Sequence, residues 1–200
     1  LEWDNPATLG AMDAGDRILA SFFQSVTLRT AGFNTIDQAA MRDVTKFISS
    51  VFMFIGGASA GTAGGIKVTT VAVLMLTVRS FLKNDEDVTA CGRRIAPAAS
   101  RRAFSLFFSA LAVLLVCAVA VCASMEGRAD FTDCLYECAS ALGTVGLTCG
   151  VTAAATPFAR SVLCLLMFIG RAGILTLALA IGRGSAAPPV RYPEGGVMIG

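Results

Sequence analysis

The chain has 200 residues, 55% of them apolar and 15% charged, with a net charge of +2 and no histidine, and its mean hydropathy is +0.70. That is too oily for an ordinary soluble domain of this length, and the small charge argues against nucleic acid as a partner. The absence of histidine removes the commonest general base and transition-metal ligand together.

In chain order, residues 1–15 read as a polar loop outside the membrane. Leu1-Glu2-Trp3-Asp4-Asn5-Pro6 is turn-like rather than a secretory leader. The chain is read as a piece of a longer protein whose earlier spans precede Leu1. Residues 16–28 are predicted to form a short helix, with Ile18, Leu19, Phe22, Phe23 and Val26 at helical spacing. About thirteen residues cannot cross ~30 Å of hydrocarbon. Thr30-Ala31-Gly32-Phe33-Asn34-Thr35 then breaks the helix. Residues 44–55 and 68–82 are apolar arms around Gly56-Gly57-Ala58-Ser59-Ala60-Gly61-Thr62-Ala63-Gly64-Gly65, five glycines in ten positions. Together they make one crossing interrupted in the middle, tolerable only where irregular backbone is buried in protein or lines a wet cavity.

Six of the sixteen Lys and Arg residues (Arg79, Lys83, Arg93, Arg94, Arg101, Arg102) fall in one connector, which the positive-inside rule assigns to the cytoplasm. Residues 103–123 are 21 positions without a charge, long enough to span. Residues 131–142 form a second short helix, with Asp130 as its N-cap. Thr144-Val145-Gly146-Leu147-Thr148 is a second break. An apolar stretch from 157 to 181 follows, carrying Arg171, and then a proline-containing tail. The seven cysteines form no Cys-x-x-Cys pair and read as small buried hydrophobes rather than disulfides or metal ligands.

The two halves repeat. Thr30-Ala31-Gly32-Phe33 stands 114 positions before Thr144-Val145-Gly146-Leu147, and Phe52-Met53-Phe54-Ile55-Gly56 stands 114 before Leu166-Met167-Phe168-Ile169-Gly170. A short helix, a Thr-x-Gly turn and then a long apolar helix is the pattern of a re-entrant pore loop. An ion sheds water to pass a narrow filter, and backbone carbonyls replace that water. Glycine permits successive carbonyls to point the same way. Gly32 and Gly146 are therefore the candidate filter glycines, with Thr30, Ala31, Phe33, Thr144, Val145 and Leu147 supplying neighbouring carbonyls or packing the wall. Each strand has a single glycine, with Asn34 or Thr148 where a tetrameric potassium channel has its second, so looser ion discrimination is expected.

Residues 57–67 do not make a phosphate loop. Lys67 follows Ile66 instead of glycine, Val68 replaces Ser or Thr, and the flanks are apolar spans. An intramembrane hydrolase is disfavoured too, because no Ser–Lys or paired-carboxylate arrangement lies within the spans. A non-transporting membrane assembly protein, its glycines serving helix packing, stays open as an alternative.

These blocks, Gln24 to Asp37, Met53 to Thr70, Gly143 to Thr148 and Met167 to Arg171, resemble the Trk/Ktr/HKT superfamily of potassium-translocating membrane subunits, most nearly the bacterial KtrB type and next the TrkH type. The resemblance covers nearly the whole chain, including the tail at Arg191-Tyr192-Pro193-Glu194. It implies an all-α integral membrane fold of span–pore-loop–span repeats with re-entrant pore helices and extended filter turns. Residues 1–82 would be a partial third repeat, 83–102 a cytoplasmic connector, 103–182 a complete fourth repeat and 183–200 a cytoplasmic tail. The implied function is potassium uptake, with no enzymatic activity and no bound cofactor. K+ is the transported ion, Na+ is left open as a companion, and a proton- or sodium-coupled TrkH-type symporter subunit is the alternative. The glycine loop (Gly56, Gly57, Gly61, Gly64, Gly65) would gate beneath the filter. Arg171, costly in lipid, would face that gate or the pore. The implied partners are a second copy of the subunit, a cytoplasmic nucleotide-binding ring and the lipid bilayer, in a multi-pass bacterial cell-membrane protein.

Overall fold

The computed structural model describes residues 1–58, 61, 63–85 and 87–173. Seven helices account for 61% of them. They are α1 (Ala14–Thr27), α2 (Asp43–Phe54), α3 (Val68–Lys83), α4 (Pro97–Ser124), α5 (Phe131–Gly143), α6 (Val151–Ala154) and α7 (Pro157–Ala172). Among the described residues, α4 is the one helix both long and apolar enough to cross a membrane. It takes in residues 97–102, which the charge pattern groups with the connector. The apolar stretch 157–181 is helical as far as Ala172. Its remainder, and the tail at 183–200, lie outside the described residues.

Helix α5 is the hub. It packs against α2, α4 and α7, and every residue from Cys134 to Gly143 is buried. Cys134, Cys138 and Cys149 belong to this apolar core, whereas Cys91 and Cys164, also expected to be buried, are exposed. Asp130 occupies the N-cap position of α5, but its side chain makes no capping hydrogen bond. The neighbouring Asp133 instead meets Lys46 of α2 at 2.6 Å, with the two side chains 22% and 7% exposed. This ion pair joins the two halves of the chain. Helix α2 also meets α4 through an edge-to-face contact of Phe54 with Phe107, with ring centroids 5.7 Å apart.

The large apolar residues of α1 point outward: Ile18, Leu19, Phe22, Phe23 and Val26 are exposed. What α1 buries is small or polar, namely Ala20, Gln24 and Thr27. This inverts the pattern of a soluble amphipathic helix. Met75, Val78, Phe81 and Leu82 of α3 are likewise exposed, a surface too apolar for a soluble monomer.

Two local features were not anticipated. The connector folds into a hairpin, β1 (Thr89–Ala90) with β2 (Arg93–Arg94), paired Thr89 to Arg94 and Ala90 to Arg93. Its turn residues, Cys91 and Gly92, both have positive φ, as a type I′ hairpin turn requires. The other is α6, a single turn after the second Thr-x-Gly block. At the start of the chain, the Glu2 carboxylate accepts hydrogen bonds from Asn5, Thr8, the Arg42 N–H and Thr45. This ties the first loop to the amino end of α2, where a negative charge is favoured.

Candidate functional site

Both Thr-x-Gly turns leave the carboxyl end of a short helix, and both bend in the same way. Thr30 and Gly32 have φ of 69° and 76°, and their counterparts Thr144 and Gly146 have 52° and 93°. The turn after α5 is closed by hydrogen bonds from Thr144 N–H to the Ala141 carbonyl (3.1 Å) and from Val145 N–H to the Ser140 carbonyl (2.9 Å), a Schellman-type ending. In the first turn, the buried Thr27 hydroxyl donates to the Phe33 carbonyl and fixes its direction.

The turns lie main chain against main chain. A β-carbon added to Gly32 would stand 2.6 Å from the Val145 carbonyl oxygen and 3.8 Å from the Gly146 α-carbon. One added to Gly146 would stand 3.6 Å from the Gly32 α-carbon.

The glycine loop packs against the second turn. Gly64 N–H donates to the Thr144 hydroxyl at 3.2 Å. A β-carbon on Gly64 would come within 2.5 Å of that same oxygen, and one on Gly56 would sit 2.0 Å from the Gly64 carbonyl oxygen. Strand-like contacts close the loop at its base, from Ile66 N–H to the Phe54 carbonyl (3.1 Å) and from Val68 N–H to the Gly57 carbonyl (3.2 Å). Two cations hold its carbonyls. Lys67 donates to Ala63 and, at 3.4 Å, to Gly61. Arg29 donates to Ile55 (2.6 Å) and Gly56 (3.0 Å). Arg29 and Lys67 thus approach the glycine loop from its two flanks. Arg171, at the end of α7, lines a cavity of about 530 Å³ together with Thr144, Gly146 and Glu137.

The family description for cation transport proteins of the TrkH type matches residues 4–183. The chain belongs to the TrkH family. It is 36% identical over its whole length to Ktr system potassium uptake protein B of Bacillus subtilis, covering 44% of that protein. Over 92% of its length it is 36% identical to the potassium/sodium uptake protein NtpJ of Enterococcus hirae, covering 42%. It is 34% identical over its whole length to Ktr system potassium uptake protein B of Vibrio alginolyticus, covering 43%. The chain thus spans less than half the length of these curated relatives, and the resemblance to the Trk/Ktr superfamily, KtrB type, holds. As a member of a cation transport family, it is a membrane protein.

In this TrkH-family chain, sequence reasoning missed the polar groups behind the turns. Glu137 is 4% exposed, and its carboxylate accepts from the Thr148 hydroxyl (2.8 Å), the Cys149 N–H (3.2 Å) and the Thr152 hydroxyl. Tyr136, fully buried, donates to Gln38 Oε1 at 2.7 Å. Gln38 in turn exchanges amide hydrogen bonds with Gln24 of α1 at 2.7 and 3.1 Å. The available signal was a carboxylate inside an apolar helix, which demands partners.

Proposed function

We propose that this segment lines a potassium uptake pathway across the cell membrane, with Thr30, Ala31, Gly32 and Phe33 on one filter strand and Thr144, Val145, Gly146 and Leu147 on the other. One observation carries the reading. Two turns of the same sequence pattern and the same left-handed bends meet backbone to backbone at Gly32, Val145 and Gly146, where carbonyl oxygens can take the place of an ion's water. Each turn also follows a helix carboxyl end, whose partial negative charge favours a cation. The names of the relatives, potassium uptake proteins of Ktr systems, point the same way.

On this reading, residues 1–82 and 103–182 are pore repeats of a multi-pass protein, 83–102 a cytoplasmic connector and 183–200 a cytoplasmic tail. The glycine loop is the gate. Its contact with Thr144 supports that role, because among the described residues a single hydrogen bond, from Gly64 N–H to the Thr144 hydroxyl, ties the loop to the filter turn. Arg171 adds positive charge on the same cavity. The active form is a dimer of complete subunits regulated by a cytoplasmic nucleotide-binding ring. Na+ is kept as a second ion, favoured by the name of the Enterococcus relative.

Rubidium uptake in cells lacking other potassium transporters tests the pathway. With the segment in its complete polypeptide, Gly32→Asp and Gly146→Asp abolish uptake while protein still reaches the membrane. Full uptake in both overturns the reading.

A further inference from the structure

The two residues of α5 that reach behind the turns are adjacent, and each serves a different strand. Successive helix positions point ~100° apart, so Tyr136 faces the loop beyond the first turn while Glu137 faces the loop beyond the second. Tyr136 bonds Gln38, six positions after Gly32. Glu137 bonds Thr148 and the Cys149 N–H, two and three positions after Gly146. A further contact links the loops directly, from Cys149 Sγ to the Gln38 carbonyl at 3.5 Å. Behind both residues, α5 is buried from Cys134 to Gly143 and held by α2, α4 and α7.

We propose that Tyr136 and Glu137 are positioning residues for ion selectivity: one buried helix holds the loops that follow both Thr-x-Gly turns and so sets the distance between the turns' carbonyls. The inference rests on the filter reading above. Carbonyl spacing decides how well a dehydrated cation is coordinated, and a shared mount keeps that spacing from drifting as either loop moves. The residue types fit the task. A carboxylate offers acceptors at both oxygens, and three donors face Glu137. A glutamine there keeps one acceptor but turns an NH2 group toward partners that now donate, so a threonine hydroxyl has to reverse and accept, and the contacts that hold the loop change. The tyrosine hydroxyl supplies the one donor that Gln38 Oε1 needs beyond the Gln24 amide.

The test uses the complete transporter in potassium-uptake-deficient cells, with rubidium and sodium tracers. Tyr136→Phe and Glu137→Gln raise KM for the potassium analogue and lower its preference over sodium about three- to tenfold, the change that one buried hydrogen bond is worth in an equilibrium constant. The maximal rate per transporter in the membrane is retained. A purely structural role would reduce the amount of protein, leaving KM and the ion preference alone. Wild-type KM and preference in both variants overturn the proposal. If Glu137→Gln is not produced, Tyr136→Phe and Thr152→Val decide it by the same readout. Gly146→Asp is measured in parallel. Uptake that survives Gly146→Asp sinks the filter reading itself. Uptake lost there, with selectivity intact in the α5 variants, sinks the positioning inference alone.

Discussion

At Gly32, two demands fall on one atom. The backbone is left-handed, and the Val145 carbonyl occupies the space a side chain would need, whereas Gly146 carries the first demand alone. Either demand alone admits an asparagine or a small shift; both together leave glycine. Glu2 shows the opposite case, a charged residue made useful by its partners. Burial alone would raise its pKa, but the hydrogen bonds from Thr45, Asn5, the Arg42 N–H and Thr8 outweigh it and hold the carboxyl below its ordinary 4.5. A depressed folded value means stability that is present above about pH 4.5 and is lost as pH falls through the folded pKa. Glu2→Gln is therefore expected to lower the thermal midpoint at pH 7, and the gap to wild type closes as pH falls through the folded pKa. A gap unchanged across that range would show that the carboxylate charge contributes nothing.

At the scale of elements, the joint between α2 and α5 carries the pairing of the two halves. Lys46 and Asp133 are both largely buried, so removing one partner strands a charge, at a cost of about 3–5 kcal/mol, while replacing both with apolar groups is near neutral. Lys46→Met and Asp133→Leu should each lower the midpoint in lipid nanodiscs more than the double variant does. A double variant worse than either single would show that the pair does not act as a unit. The glycine loop makes a prediction of its own. If it gates, deleting residues 58–62 raises rubidium flux through the complete transporter, because the span can no longer press Gly64 against Thr144. Unchanged or reduced flux removes the loop from the gating role.

Across the whole molecule, topology can be read from a native thiol. Cys91 is exposed at the tip of the β1–β2 hairpin, beside Arg93 and Arg94. If the basic connector is cytoplasmic, a membrane-impermeant maleimide labels a Cys91-only variant in inverted vesicles and spares it in intact cells. Labelling from outside would invert the orientation. The outward-facing phenylalanines of α1 belong to this scale too. In a chain spanning less than half the length of its relatives, a helix that buries glutamine and exposes phenylalanine is oriented by a surrounding larger than itself.

Local chemistry was legible in the residues. Helix positions followed apolar spacing and charge-free length, and the two breaks followed Thr-x-Gly at a fixed 114-residue offset, because period and backbone freedom are properties of the chain itself. What faced what was not legible. Nothing in Tyr136-Glu137 announces that one side chain serves the first loop and the other the second. Nor does Arg29 reveal that its partners are Ile55 and Gly56, 26 and 27 positions away. Periodicity gives a helix its faces without naming their neighbours. Only tertiary packing brings donors and acceptors from distant segments within 3 Å, and it alone decided that the two glycine turns meet.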